Sequence, residues 1–191
     1  MAISTSLRRA PFSVLAALVA TAAISAATFA AEEKGWENKV NTSVAPTAEG
    51  KKFTREELKQ GILGFFTAGD PKRLAAILPQ DFVLRLSPTL PYGGEHRGPE
   101  GFMNMLKGTI ALFESFKTQA DPILDAGDYM ILPIRITAKS KIGREMKIEN
   151  LWLFKVSDGR LVSATIYADS GASLAATGYL KEDAQMRWPE R

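Results

Sequence analysis

The chain has 191 residues, of which 46% are hydrophobic and 24% charged, enough to bury one ordinary core and too apolar for a disordered polymer. Its formal charge of +3 is not a nucleic-acid footprint, because Arg8 and Arg9 sit in an acid-free N-terminal stretch and the remainder balances to +1. The absence of cysteine excludes disulfides, thiol chemistry and thiolate metal sites.

Residues 1–30 read as an export signal. Arg8 and Arg9 form a positive start, Phe12 to Ala27 is an uncharged run of small and branched apolar residues, and Thr28-Phe29-Ala30 offers small residues at the cleavage positions. A mature N-terminus at Ala31 and a periplasmic or secreted protein are expected, with no membrane attachment after cleavage. Residues 31–52 are polar, contain Pro46 and Gly50, and read as a flexible linker. The basic pair Lys51-Lys52 and the run Lys139 to Arg144 read as solvated surface.

The domain is expected over residues 53–177, with residues 178–191 as a C-terminal tail. Thr54-Arg55-Glu56-Glu57 fits a capping box, and Leu58, Ile62, Phe65 and Phe66 follow at helical spacing until Gly69. Asp70 and Pro71 open a second helix with Leu74, Ile77 and Leu78 on its stripe, ended by Pro79. Phe82 to Leu86 begins a strand, and Pro88 to Arg97 reads as a turn-forming stretch holding the single histidine, His96. Gly98-Pro99-Glu100 launches a third helix carrying Phe102, Met105, Leu106, Ile110 and Phe113.

Strands are then expected at Phe116 to Leu124, Tyr129 to Lys139, Met146 to Val156 and Leu161 to Ala168, with turns at Gly127-Asp128 and Asp158-Gly159. In the second of these, Met130, Leu132, Ile134 and Ile136 alternate with Ile131, Pro133, Arg135 and Thr137, so one face is wholly apolar and the other mixed. Pro133 lacks a ladder donor and predicts an edge or a bulge. Helices first and long strands last predict an α+β domain, a curved antiparallel sheet wrapped around three N-terminal helices.

Several segments, in this order, are similar to the SnoaL-like members of the NTF2-like superfamily: Phe65 to Asp70, Leu74 to Leu78, Pro91 to Gly101, Asp158 to Leu161 and Tyr167-Ala168-Asp169. The resemblance implies a cystatin-like cone with an apolar cavity, commonly dimeric through its sheet, in a superfamily of polyketide cyclases, ketosteroid isomerases, limonene epoxide hydrolases and non-catalytic binders. It therefore speaks for the fold more than for an activity. Leu86 and Ile62 fall where the isomerases carry their base and tyrosine donor, which speaks against isomerisation. Of the epoxide hydrolase Asp-Arg-Asp set, Arg135 and Asp169 match and Thr137 replaces the middle acid.

The resemblance puts Asp169 toward the cavity as general acid/base, with Arg135 or Tyr167 orienting it. The residues alone leave a second reading open, in which Asp169 caps the turn into Ser170 to Ala176. Tyr92, His96, Phe102, Glu149 and Trp152 are the candidate ligand-binding residues. The aromatics suit a planar, greasy ligand, whereas Glu149 faces either solvent or the cavity. No cofactor is expected, and a lone histidine without cysteine or a paired acid gives no metal site. The expected function is an exported pocket protein that binds a small apolar organic molecule; the alternative is a SnoaL-type cyclase, isomerase or hydrolase using Asp169. Apolar residues on both faces of the Leu151-Trp152-Leu153 strand predict a homodimer.

Overall fold

A computed structural model describes residues 48–179. The expected export signal, residues 31–47 of the expected linker and residues 180–191 of the expected tail lie outside this range.

The first helix, α1 (Arg55–Ala68), is opened by the predicted capping box: Glu57 N donates to Thr54 Oγ1 at 3.2 Å and Thr54 N donates to Glu57 Oε2 at 2.7 Å. Gly69 closes it with φ +63°, a left-handed value that costs glycine little. Asp70 caps the short α2 (Pro71–Ala75) by accepting from Lys72 N at 3.0 Å, with Pro71 at its first position. Then come β1 (Val83–Leu86), β2 (Gly94–Arg97), α3 (Gly98–Ile110), β3 (Phe113–Ala120), β4 (Leu124–Ala126), β5 (Tyr129–Ser140), β6 (Glu145–Ser157), β7 (Arg160–Tyr167) and α4 (Ser170–Thr177). The linker end is docked on the domain. Ala48 is buried, Lys52 pairs with Asp158 at 2.6 Å, and Phe53 N donates to Gly159 O.

The sheet runs β2-β1-β7-β6-β5-β3, with β4 also on β5. It is mixed, which corrects the wholly antiparallel expectation: β1 pairs β7 in parallel, Leu84 beside Ala164, because the first strand of the domain lies beside the last. Two further strands depart from the sequence reading. The Gly93-Gly94 turn region contributes the edge strand β2, and the expected strand Phe116 to Leu124 is two strands with a gap at residues 121–123.

Pro133 explains that gap. Asp121 N donates to Pro133 O at 3.0 Å, so the backbone nitrogen of Pro133 points to the same side, between the last β3 pair (Ala120 with Ile134) and the first β4 pair (Leu124 with Ile131). The missing donor thus falls where no strand needs it.

Even-numbered residues of β5 from Met130 to Ala138 are buried and pack under the helices. Phe65 is the hub of the core. Its ring lies 4.5 Å from Phe66, 5.2 Å from Phe102 and 6.3 Å from Trp152, and Trp152 stacks on Phe154 at 5.6 Å. Burying each such side chain stabilises the fold by roughly 1.5–3 kcal/mol.

The N-terminal end of α1 is clamped to β4. Arg55 Nε donates to Asp125 Oδ2 at 3.0 Å, its Nη2 reaches Asp125 Oδ1, and Lys59 Nζ stands 3.3 Å from the same carboxylate. The Arg55 hydrogen bonds hold the Asp125 carboxyl below its usual range, and the Thr54 backbone amide does the same for Glu57. A carboxyl whose folded pKa is depressed contributes stability above its ordinary value and loses it as pH falls through the folded one. The urea midpoint is therefore expected to fall below about pH 4.5, and Asp125→Asn to flatten that decline; an equally steep decline in the variant refutes the assignment.

Candidate functional site

The hollow side of the sheet, α1 and α3 line a pocket. Phe65 and Phe66 come from α1, while Met105, Leu106, Thr109 and Ile110 come from α3. The sheet contributes Leu86, Phe116, Thr118, Ile134, Ile136, Met146, Ile148, Asn150, Trp152 and Ile166, followed by Ala168 just past β7. Leu90 and Tyr92, in the loop between β1 and β2, complete the wall. Among the described residues the wall carries no aspartate, glutamate, histidine, lysine or arginine.

The expected catalytic trio is not on this wall, and that corrects the cavity placement. Asp169 is exposed and caps α4, its Oδ1 accepting from Ala172 N at 2.9 Å. Tyr167 is 56% exposed on the outer face of the sheet. Arg135 lies on the outer face of β5, forked onto Asp121 by Nη1–Oδ2 and Nη2–Oδ1 contacts of 3.0 and 2.6 Å. For Arg135 the cause is alternation itself: Ile134 and Ile136 carry the apolar face inward, so their odd-numbered neighbours point out.

For Asp169 and Tyr167 the cause is a bulge. Lys155 pairs Ser163 but Val156 pairs Leu161, leaving Val162 as an extra residue that shifts the phase of β7. Without it, Leu161 would share its face with Thr165, Tyr167 and Asp169. With it, Ala164, Ile166 and Ala168 turn inward instead.

The expected ligand-binding residues divide. Tyr92 and Trp152 are on the wall. Phe102 is fully buried behind it, packed on Phe65. His96 lies in β2, its Nε2 3.1 Å from Tyr92 O, and does not reach the cavity. Glu149 is exposed, across from Arg135 on the outer face.

Burial pushes the pKa of Tyr92 above the usual phenol value, so it is a neutral hydroxyl at physiological pH. Ser173 Oγ, on α4, donates to Asp169 O at 2.9 Å.

Asn150 is the wall residue that the reading of the sequence passed over. Its signal was present: in β6 the inward series Met146, Ile148, Asn150, Trp152, Phe154 is apolar except at one place. Asn150 Oδ1 and Trp152 Nε1 are buried and have no hydrogen-bond partner among the described residues. The wall can enclose an apolar body and offer it a few neutral polar contacts. Among the described residues it has no carboxylate or imidazole to move a proton at neutral pH.

Comparison with known proteins agrees with this geometry. The family model described as a SnoaL-like domain matches residues 60–164, more than half of the chain. No curated protein matches the sequence significantly. Among solved structures, an NTF2-like protein from Burkholderia thailandensis is similar with a TM-score of 0.59 at 16% identity, over 63% of this chain and 94% of that one. TerC, crystallised with polyporic acid, is similar with a TM-score of 0.57 at 14% identity, over 64% and 96%. A Jannaschia protein provisionally named a SnoaL-like polyketide cyclase has a TM-score of 0.51 at 13% identity, over 66% and 94%. At these identities the structural likeness speaks for the fold alone, and together with the family match over residues 60–164 it establishes that the chain belongs to the SnoaL-like domain family and has the NTF2-like fold.

Proposed function

We propose that this protein binds a small, uncharged, largely apolar organic molecule in the cavity between the sheet and helices α1 and α3. The observation that carries this reading is the wall itself: aromatic and aliphatic side chains with no acid, base or cation among the described residues. A charged ligand would be stripped of water there without a partner, at a cost of several kcal/mol. The likeness to TerC, which was crystallised with polyporic acid, and to a protein provisionally named a polyketide cyclase supports an organic ligand for this fold. The alternative, a cyclase, isomerase or hydrolase with Asp169 as its acid/base, has its acid engaged in capping α4.

Native mass spectrometry of the purified full chain tests the reading. A retained organic adduct is expected in the wild-type protein and in Asp169→Asn, and is expected to be lost in Ala168→Trp, which fills the cavity. An adduct that survives Ala168→Trp but not Asp169→Asn refutes it.

We further propose that the protein acts outside the cytoplasm, cut after Ala30, and as a homodimer through the outer face of the sheet. Leu124, Leu151 and Tyr167 on that face are 57%, 37% and 56% exposed, an apolar cluster that supports burial against a second copy. The matching results are an intact mass beginning at Ala31 and light scattering of a dimer that Leu151→Lys converts to a monomer; a monomeric wild-type protein at tens of micromolar, roughly the range of weak dimers, refutes the assembly.

A further inference from the structure

Among the described residues, Asn150 Oδ1 and Trp152 Nε1 are the two orphans of the cavity wall. Native proteins leave very few buried polar atoms unpaired, and each such atom calls for an explanation. Packing does not supply one. A phenylalanine at 152 would keep the ring contacts with Phe66 and Phe154, and a leucine at 150 would continue the apolar series of Met146 and Ile148.

The threonine hydroxyls of the wall are already committed. Thr109 Oγ1 donates to Met105 O at 3.0 Å, and Thr118 Oγ1 donates to Phe66 O at 3.3 Å. Neither hydroxyl proton is available to Asn150 Oδ1, and neither hydroxyl oxygen accepts from Trp152 Nε1. Asn150 and Trp152 both line the cavity, from positions two residues apart on the inward face of β6.

The chemistry of the two atoms is complementary. The indole Nε1–H only donates and the amide Oδ1 only accepts. A ligand carbonyl or ether satisfies Trp152 and leaves Asn150 unpaired. A hydroxyl accepts from the one while donating to the other. Its charged form does not fit, because no cation on the wall would offset a phenolate. The aromatic wall of Phe65, Phe66, Phe116 and Trp152 favours a flat body behind that hydroxyl.

We propose that Asn150 and Trp152 form a hydroxyl-reading pair that selects a neutral phenol-type ligand over the corresponding hydrocarbon or ether. The proposal rests on the ligand-binding function above and adds to it the chemical class of the ligand.

Calorimetric titration of the full chain with 2-naphthol, 2-methoxynaphthalene and naphthalene tests it. In the wild-type protein 2-naphthol is expected to bind about tenfold or more tightly than either analogue, the ratio expected when a buried donor and acceptor are both satisfied or both left unpaired. Trp152→Phe and Asn150→Leu are each expected to shrink that ratio to about threefold or less. Asn150→Leu also loses an unpaired buried acceptor, so its unfolding midpoint is expected to be equal to or above that of the wild type, which separates recognition from misfolding. Equal affinity for the three probes, or a preference that survives both substitutions, overturns the hydroxyl-reading pair and leaves the cavity reading standing. No binding of any of the three overturns both.

Discussion

Phe65→Ala is expected to lower the free energy of unfolding by about 3–5 kcal/mol, the range for deleting a fully buried aromatic side chain and leaving its space behind. Phe65 is 2% exposed and meets Phe66, Phe102 and Trp152 at once, so no single neighbour can move in without leaving another. It also lines the cavity, and the lost ring would join the existing space. Urea denaturation measures the effect through the midpoint at unchanged slope. A loss below about 1 kcal/mol would mean that the core collapses around the gap, contrary to the rigid packing described here.

Gly93→Ala is expected to cost about 2–4 kcal/mol and to displace Tyr92 from the cavity wall. A Cβ at this position would lie 1.9 Å from the carbonyl oxygen of Ser87 and 3.1 Å from that of Leu90, both backbone atoms. No rotamer relieves such a contact. The turn itself would have to open, breaking the Gly93 N to Leu90 O hydrogen bond of 2.9 Å. Leu90 and Tyr92 sit in this turn and form one wall of the cavity, so a loss of naphthalene binding of about tenfold is expected beside the lost stability. Normal stability and normal binding in this variant would show that the loop is not held as described.

Much of the scaffold was legible because its signals are local. The capping box at Thr54 and Glu57 opened α1 where expected, Gly69 closed it, and Asp158-Gly159 made the last hairpin turn with φ values of +50° and +70°. The helix α4 was read as a turn, because Ser170-Gly171-Ala172-Ser173 offers neither strong helix formers nor an apolar period. Its stability comes from the Asp169 cap and from docking, and docking leaves no mark on composition. The edge strand β2 was hidden in the same way, since its residues are those of a turn and the partner that makes them a strand, β1, is about ten positions earlier.

The cavity was legible in part. Tyr92 and Trp152 announced themselves as aromatics flanked by apolar residues, and Asn150 was visible as one polar residue in an inward series. Arg135 was misplaced although its own strand carried the answer: the wholly apolar face of β5 is the one that must be buried.

What the sequence by itself determined about this protein is therefore the α+β class, the limits of α1, the long hairpin strands and the inward face of β5, all properties of residues within a few positions of one another. Only the tertiary structure decided that β1 runs parallel to β7, that Val162 is an extra residue, and that Asp169 caps a helix and stays out of the cavity. The physical reason is the period of two along a strand: alternation relates neighbours faithfully until one residue is inserted, and a one-residue bulge then sends every later side chain to the opposite face.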